Sequence, residues 1–302
     1  MPRVCPRTFF FVSLLFVLLQ TQFVAAVPGE DRDIWRIDLH AVALLTAEKQ
    51  HLSIIDFYRW ENNRWQHSDA ETFFDTQRAE IPLIFFAPGY TSTTAQTTRV
   101  GLGVVQTFDP NKPCRVVFLD WYSERAVHMI RRDVRGKLPI INNTAEYLAL
   151  FLQEVKAQSK VCLIGFSFGG RIVCHAVETL RKSGQRPEGL RLHLILSAAA
   201  TDRDWFAAGQ QLSKVPEIVD KILVTYNPDD WALRFYPYMY NCKHRAQALG
   251  LEGLPMHNIA TEYRDRFENI DISRYIGDEH QTLYHVRSPV FRSRVNRYCF
   301  FE

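Results

Sequence analysis

The sequence predicts an α/β protein, with a mostly parallel central sheet and helices on both of its faces. Two observations carry this reading. Short runs dominated by apolar residues, such as Ile81 to Phe86 and Cys114 to Trp121, read as strands buried on both sides. Between such runs lie segments with apolar residues at helical spacing, and strands that alternate with helices pair in parallel through crossovers. Composition agrees: 47% hydrophobic against 23% charged is the balance of a chain that buries a core. At 13% aromatic, that core is expected to be rich in rings.

The elements follow in order. Arg3 and Arg7 precede the apolar run Phe9 to Leu19 and a Val-Ala-Ala ending, the pattern of a secretory signal peptide cut after Ala26. Gln20, Thr21 and Gln22 interrupt the run before the roughly 20 apolar residues that a membrane span needs. Residues 1–26 are therefore expected to be a cleaved leader and the protein secreted or periplasmic, with membrane association left open. Residues 27–302 show no internal repeat, low-complexity tract or linker, which predicts a single domain.

IWRIDLHAVALL (34–45) and HLSIIDFYRW (51–60) predict two strands joined as a hairpin. A polar link leads to the strand Ile81 to Phe86, closed by Pro88-Gly89. Residues 93–108 suit a helix and 114–121 a buried strand. Leu148, Phe151, Leu152 and Val155 stand at helical spacing within 143–157. Residues 160–165 predict a strand, Phe168 to Lys182 a helix, and 190–200, 221–230 and 267–273 three further strands before a tail with helical stretches. The stretch 231–266, with its FYPYMY and GLPMH, reads as a cap-like excursion that covers a site.

Charge narrows the partners. The formal net charge is +3, and two of those charges, Arg3 and Arg7, belong to the leader. That is no electrostatic footprint for nucleic acid. Beyond Cys5 there are Cys114, Cys162, Cys174, Cys242 and Cys299, an odd number that cannot all pair within one chain. Cys162 in a strand and Cys174 in a helix are buried small hydrophobes by their settings. Cys242 and Cys299 are the candidates for a disulfide. No Cys-x-x-Cys pair or zinc spacing occurs, so neither a metal nor an organic cofactor is expected.

Chemistry centres on Gly165-Phe166-Ser167-Phe168-Gly169, a G-x-S-x-G pattern between an apolar strand and a helix. A serine on a sharp strand-to-helix turn holds a strained backbone, and larger side chains at the flanking glycines would clash. The turn lifts the hydroxyl above the sheet, before a helix N-terminus whose N–H groups and partial positive charge favour an oxyanion. The bland alternative is a glycine-rich packing turn.

A nucleophilic serine needs a base, and the base an orienting acid. Asp229 and Asp230 end the strand 221–230, and Asp202 and Asp204 follow the strand before it. Among downstream histidines, His175 and His193 lie inside elements, and His244 and His257 in the excursion. His280 falls just beyond the last strand, where a base enters on a loop, with His285 five residues on. The oxyanion hole is expected from the backbone N–H of Phe168 and that of Tyr90 in the loop APGYT.

These segments resemble an α/β-hydrolase, and within that superfamily a lipase-like, largely uncharacterised bacterial group. Its pattern of His-Gly-Tyr, Trp-Pro-Ser, G-x-S-x-G, Asp-x-Ala-Leu and a late His is similar to Pro88-Gly89-Tyr90, Trp121-Tyr122-Ser123, Gly165 to Gly169, Asp230-Trp231-Ala232-Leu233 and His280 here. The likeness spans about residues 80 to 285. It implies the α/β-hydrolase fold, an ester hydrolase acting on a small-molecule or lipid ester, and the choice of Asp230 over Asp229 and His280 over His285. This chain departs from the pattern at Pro88, Tyr122 and Phe166, none of them a triad position. An acyltransferase with the same triad, or a non-catalytic binding protein on this scaffold, are the alternatives.

Overall fold

The computed structural model describes residues 32–44, 52–90, 93–127, 129–239 and 246–302. The expected leader, Cys242 and His244 lie outside the described residues.

Three strands come first: β1 (Arg32–Asp38), β2 (Asp56–Glu61) and β3 (Arg64–Ser68). The first helix α1 (Ala70–Asp75) precedes β4 (Leu83–Ala87), α2 (Thr94–Val105) and β5 (Cys114–Asp120). A long helix α3 (Ile130–Glu154) leads to β6 (Lys160–Phe166), α4 (Phe168–Ser183), β7 (Arg191–Ser197) and β8 (Lys221–Tyr226). Short helices α5 (Tyr236–Met239) and α6 (Leu249–Glu252) precede β9 (Phe267–Asp271). The chain ends in α7 (Ser273–Ile276), α8 (Thr282–His285) and α9 (Pro289–Cys299).

All nine of these strands form one sheet, ordered β3-β2-β1-β5-β4-β6-β7-β8-β9. From β1 to β9 every pairing is parallel, and only the β1–β2 and β2–β3 pairings are antiparallel. The parallel strands β4 and β5 are buried at every position, which is why β4 reads as an unbroken apolar run and β5 as one broken only by Arg115 and Asp120.

The two-residue period of the strands assigns the helices to faces. Ile37 registers with both Phe57 and Leu119, and on that face Phe151 of α3 meets Phe57 and Phe73. Helices α3 and α4 lie against each other there. Arg36, Tyr58 and Phe118 share the opposite face, where Trp65 meets Phe118 edge-on and bonds Thr98 of α2. Helix α9 covers the same face, tied to the end of α2 by Asn296 Nδ2 donating to the Thr107 carbonyl at 2.7 Å.

Three readings change. The chain between β2 and α1 is a third strand rather than a polar link, turned through Asn62 and Asn63, both at positive φ (51° and 61°). That is the backbone a tight two-residue hairpin requires. The strand expected over 34–45 stops at Asp38, and a 3-10 turn follows at Ala41–Leu44. Helix α3 begins well before 143, carrying Pro139 in its interior at the loss of one main-chain hydrogen bond.

The Cys242–Cys299 pairing is corrected. Cys299 is a free thiol buried at the end of α9, its Sγ 3.4 Å from that of Cys162 in β6. Burial pushes it well above the ordinary thiol pKa, with the Cys162 neighbour adding to the shift. Cys114 and Cys174 are free and buried as well.

The strand order locates a site. Chain leaving β4 goes to β5 on one side, while β6 lies on the other and leads on to β7. The carboxyl ends of β4 and β6 therefore flank a topological switch point, where open α/β sheets form their ligand crevice.

Candidate active site

Ser167 stands between β6 and α4 with φ 54° and ψ −117°, a region that costs a non-glycine residue about 1–3 kcal/mol. Main-chain bonds hold it there. Its N–H donates to the Ser197 carbonyl at 3.0 Å, and its own carbonyl accepts from Gly170 (3.0 Å) and Ala200 (2.9 Å). The flanking glycines are dictated by close approach. A Cβ on Gly165 would lie 2.5 Å from Gly170 Cα, and one on Gly169 would lie 1.9 Å from the Ala87 carbonyl oxygen. The elbow is thus wedged against the end of β4.

Three elements contribute side chains to one row. Ser167 Oγ lies 3.1 Å from His280 Nε2, and His280 Nδ1 lies 2.6 Å from Asp230 Oδ2. Asp230 follows β8 and is fully buried. Its second oxygen accepts the N–H groups of Ala232 and Leu233, both at 2.9 Å. With one oxygen committed to two donors, the other is aimed at the imidazole.

Asn227 joins the loops that carry Asp230 and His280. It donates to the Gly277 carbonyl at 2.8 Å and accepts from the Asp229 N–H at 3.0 Å. Trp231 N–H donates to Asp278 O at 3.2 Å, two residues before His280.

The other sequence candidates lie elsewhere. Asp229 is exposed and pairs with Arg234 at 3.4 Å. Asp202 accepts from the Tyr236 hydroxyl and Trp205 Nε1, and Asp204 is exposed. His285 is buried beneath the site, with Nδ1 3.0 Å from Ser197 Oγ, which in turn accepts from Thr225. Burial, with His280 as a neighbour, pushes His285 down to about 3. His175, within α4, is pushed down to about 4 by burial, and His193 is also lowered by burial. His257 is exposed.

Phe166 does not simply line an acyl pocket. Its ring lies between the two histidines, 5.4 Å from His280 and 5.1 Å from His285. Phe168 opens α4 and meets the Tyr90 ring edge-on at 5.9 Å. Gly89, just before Tyr90, approaches Ser167 so closely that a Cβ there would lie 3.0 Å from Ser167 Cβ. The Tyr90 loop and the start of α4 therefore both border Ser167.

Asp133 of α3 was not singled out by sequence, yet it organises this rim. Its carboxylate accepts the Tyr90 hydroxyl and the N–H groups of Ala126 and Val127, the latter two at 2.8 Å. Burial would raise this carboxyl, but the Tyr90 hydroxyl and the two N–H groups hold it below its ordinary value. Burial, with Asp133 as partner, pushes the Tyr90 phenol up. One turn on, the buried Lys137 ammonium lies 4.0 Å over the Tyr122 ring, and burial lowers its pKa.

Beside this rim, Asp120 at the end of β5 binds Arg36 (2.7 Å) and His40 (3.3 Å). Burial would raise its carboxyl, but those two partners hold it low. Among the described residues no group of three or more His, Cys, Asp or Glu is placed to hold a metal ion.

The parallel sheet, the serine elbow after β6 and the row of Asp230 and His280 beside it on later loops define the α/β-hydrolase class. More narrowly, residues 83–287 match the family described as "Alpha/beta hydrolase of unknown function (DUF900)", and the chain belongs to it. No curated protein matches the sequence. Similar solved structures include an inhibited esterase B from Lactobacillus rhamnosis, 10% identical with a TM-score of 0.43, covering 97% of this chain and 94% of that one. A bacterial heroin esterase is 10% identical at a TM-score of 0.40, over 100% and 92% of the two chains. An esterase/lipase from an uncultured bacterium is 13% identical at 0.39, over 99% and 98%. Likeness this distant carries no information about substrate.

Proposed function

We propose that the protein is a secreted serine hydrolase that cleaves a carboxylic ester through an acyl-enzyme. The observation that carries this is the row Asp230–His280–Ser167, at 2.6 and 3.1 Å, on a serine held at positive φ. Ser167 Oγ attacks the carbonyl while His280 Nε2 takes its proton. Asp230 keeps the Nδ1 proton on the far side of the ring and stabilises the imidazolium. The N–H groups of Phe168 and Tyr90 are assigned to the oxyanion, with the N-terminal end of α4 behind it. His280 then returns its proton to the leaving alcohol and activates water for deacylation.

Export rests on the sequence of the first 26 residues alone, and N-terminal sequencing of the mature protein tests it. A fluorophosphonate probe and a panel of p-nitrophenyl esters of graded chain length test the chemistry. Wild type is expected to label and turn over, and Ser167→Ala to do neither. Folded wild type that fails to label refutes the reading, and labelling that persists in Ser167→Ala moves the nucleophile elsewhere. Transfer to an added alcohol in preference to water identifies an acyltransferase.

A further inference from the structure

Large apolar side chains left in water are unevenly distributed over this molecule. Among the described residues they are Ile54, Val127, Met129, Trp231, Phe235, Tyr238 and Tyr275. All but Ile54 lie in segments that follow the carboxyl ends of β5, β8 and β9, the end of the sheet that holds Ser167 and His280. Met129 is 68% exposed, and Trp231, Phe235, Tyr238 and Tyr275 each 50% or more. Apolar groups concentrated in this way mark an interaction surface rather than ordinary scatter.

The patch borders the candidate site on two sides. Val127 belongs to the loop that Asp133 fastens to Tyr90. Trp231 adjoins Asp230, and its N–H holds the loop that carries His280. The two rims meet where Arg135 Nε of α3 donates to the Met239 carbonyl of α5 at 3.4 Å. A partner seated on all of this would cover the entrance to Ser167, so it must itself supply the substrate.

Charge selects the partner. Segment 124–135 carries exposed Arg125, Arg131, Arg132 and Arg135 around Val127 and Met129. Its one exposed acid is Glu124, since Asp133 is buried beneath the loop. Across the mouth, Arg234 and Asp229 offset one another, and the exposed Asp278, whose carbonyl accepts the Trp231 N–H, and the half-buried Glu279 border the Trp231 side. Arginines interleaved with exposed apolar side chains are the composition of a surface that rests in the headgroup layer of an anionic bilayer.

We infer that this face docks on an anionic phospholipid surface, with the arginines of 125–135 on the headgroups and Met129, Trp231, Phe235 and Tyr238 entering the acyl boundary. The substrate class is then a long-chain acyl ester drawn from the lipid phase. This identification of substrate rests on the ester-hydrolase reading; the docking surface does not.

Co-sedimentation of the Ser167→Ala protein with phospholipid vesicles tests it, because no lipid is consumed. Binding is expected to vesicles of phosphatidylglycerol mixed with phosphatidylcholine, and to weaken as salt rises. Arg131→Gln with Arg132→Gln is expected to lower the partition coefficient about 25-fold, at roughly five-fold per arginine. Met129→Ser with Phe235→Ser is expected to lower it at least ten-fold. In the active protein both pairs should leave turnover of p-nitrophenyl acetate within about two-fold.

Failure of the folded Ser167→Ala protein to bind anionic vesicles overturns the inference, while activity on soluble esters leaves the hydrolase reading intact. Vesicle binding by a wild type that cleaves no ester sinks that reading and keeps the surface. Self-association through this face without vesicle binding overturns the inference, as does equal loss of soluble-ester turnover and vesicle binding in either pair.

Discussion

Asp230→Asn tests the mechanism most sharply, because the structure dictates which way the new amide must face. Oδ1 of Asp230 accepts two backbone N–H groups, from Ala232 and Leu233, both at 2.9 Å. Turning the amide NH2 toward them would leave buried donors facing donors, at about 1–3 kcal/mol for each group left unpaired. The amide oxygen must therefore take that place, and the NH2 takes the place of Oδ2, 2.6 Å from His280 Nδ1. An NH2 there donates, so Nδ1 must accept and the ring proton moves to Nε2. That proton then points at Ser167 Oγ, 3.1 Å away, and the imidazole can no longer act as its base. The same substitution in a Ser-His-Asp site lowers kcat about 10⁴-fold, and at 1.36 kcal/mol per decade this is ~5 kcal/mol of barrier. The assay is steady-state turnover of a p-nitrophenyl ester, with fluorophosphonate labelling rate as a second reading. Asp230→Ala removes the partner without imposing the wrong tautomer, so it should be the milder variant. An Asp230→Asn enzyme within ten-fold of wild type, or one more active than Asp230→Ala, refutes the tautomer argument.

Other perturbations probe how the site is held. Gly169→Ala would place a Cβ 1.9 Å from the Ala87 carbonyl oxygen. It should cost about 1–3 kcal/mol in urea denaturation and disturb turnover further, and an unchanged midpoint would show that the elbow is not wedged. Tyr90→Phe removes one donor from the buried Asp133 carboxylate and should destabilise by about 1–3 kcal/mol, while the backbone N–H at 90 survives, so kcat should fall less than ten-fold. His285 bears on stability against pH. Its folded pKa, about 3, lies below the unfolded value near 6.5, so its neutral burial stabilises fully above pH 6.5 and progressively less as pH falls toward 3. Over that window it adds up to about 1.4 kcal/mol per pH unit to the slope. His285→Gln should flatten the fall in urea midpoint between pH 7 and pH 5, and an identical slope in the variant would exclude it as the source.

Much of the fold was legible because parallel strands buried on both faces are written as largely apolar runs, and β4, β5 and β6 are such runs. The row of Ser167, Asp230 and His280 was legible for a different reason. Each lies in the chain that follows a parallel strand, His280 after the short α7, and a parallel sheet delivers all strand ends to one edge. What sequence could not show was encoded by pairing rather than pattern. Strand β3 is an edge strand of mostly polar residues, and its one signal was Asn62-Asn63 between two tryptophans, Trp60 and Trp65, which register as partners with rings 4.9 Å apart. The first half of α3 carries Gly136 and Pro139, so its helical form depends on tertiary packing rather than propensity.

The residues that escaped notice share one property: each ties its own segment to a loop that is remote in sequence. Asp133 reaches the loop before α3 and the hydroxyl of Tyr90, 43 residues away, and Asn227 reaches the carbonyl of Gly277, 50 residues away. Such polar residues have no apolar period to betray them, and their partners are invisible until strand order is known. Yet they decide whether three loops arrive in register at Ser167. The elbow is held by steric contact with β4, which no side chain can relax. Asp230 and His280, by contrast, are held by a few hydrogen bonds between loops. Loosening Asn227 should therefore displace His280 and Asp230 together, lowering kcat while their 2.6 Å bond and the fold persist. Asn227→Ala, assayed for turnover against urea midpoint, should lose activity out of proportion to stability. Equal losses in both would mean that Asn227 serves the fold alone.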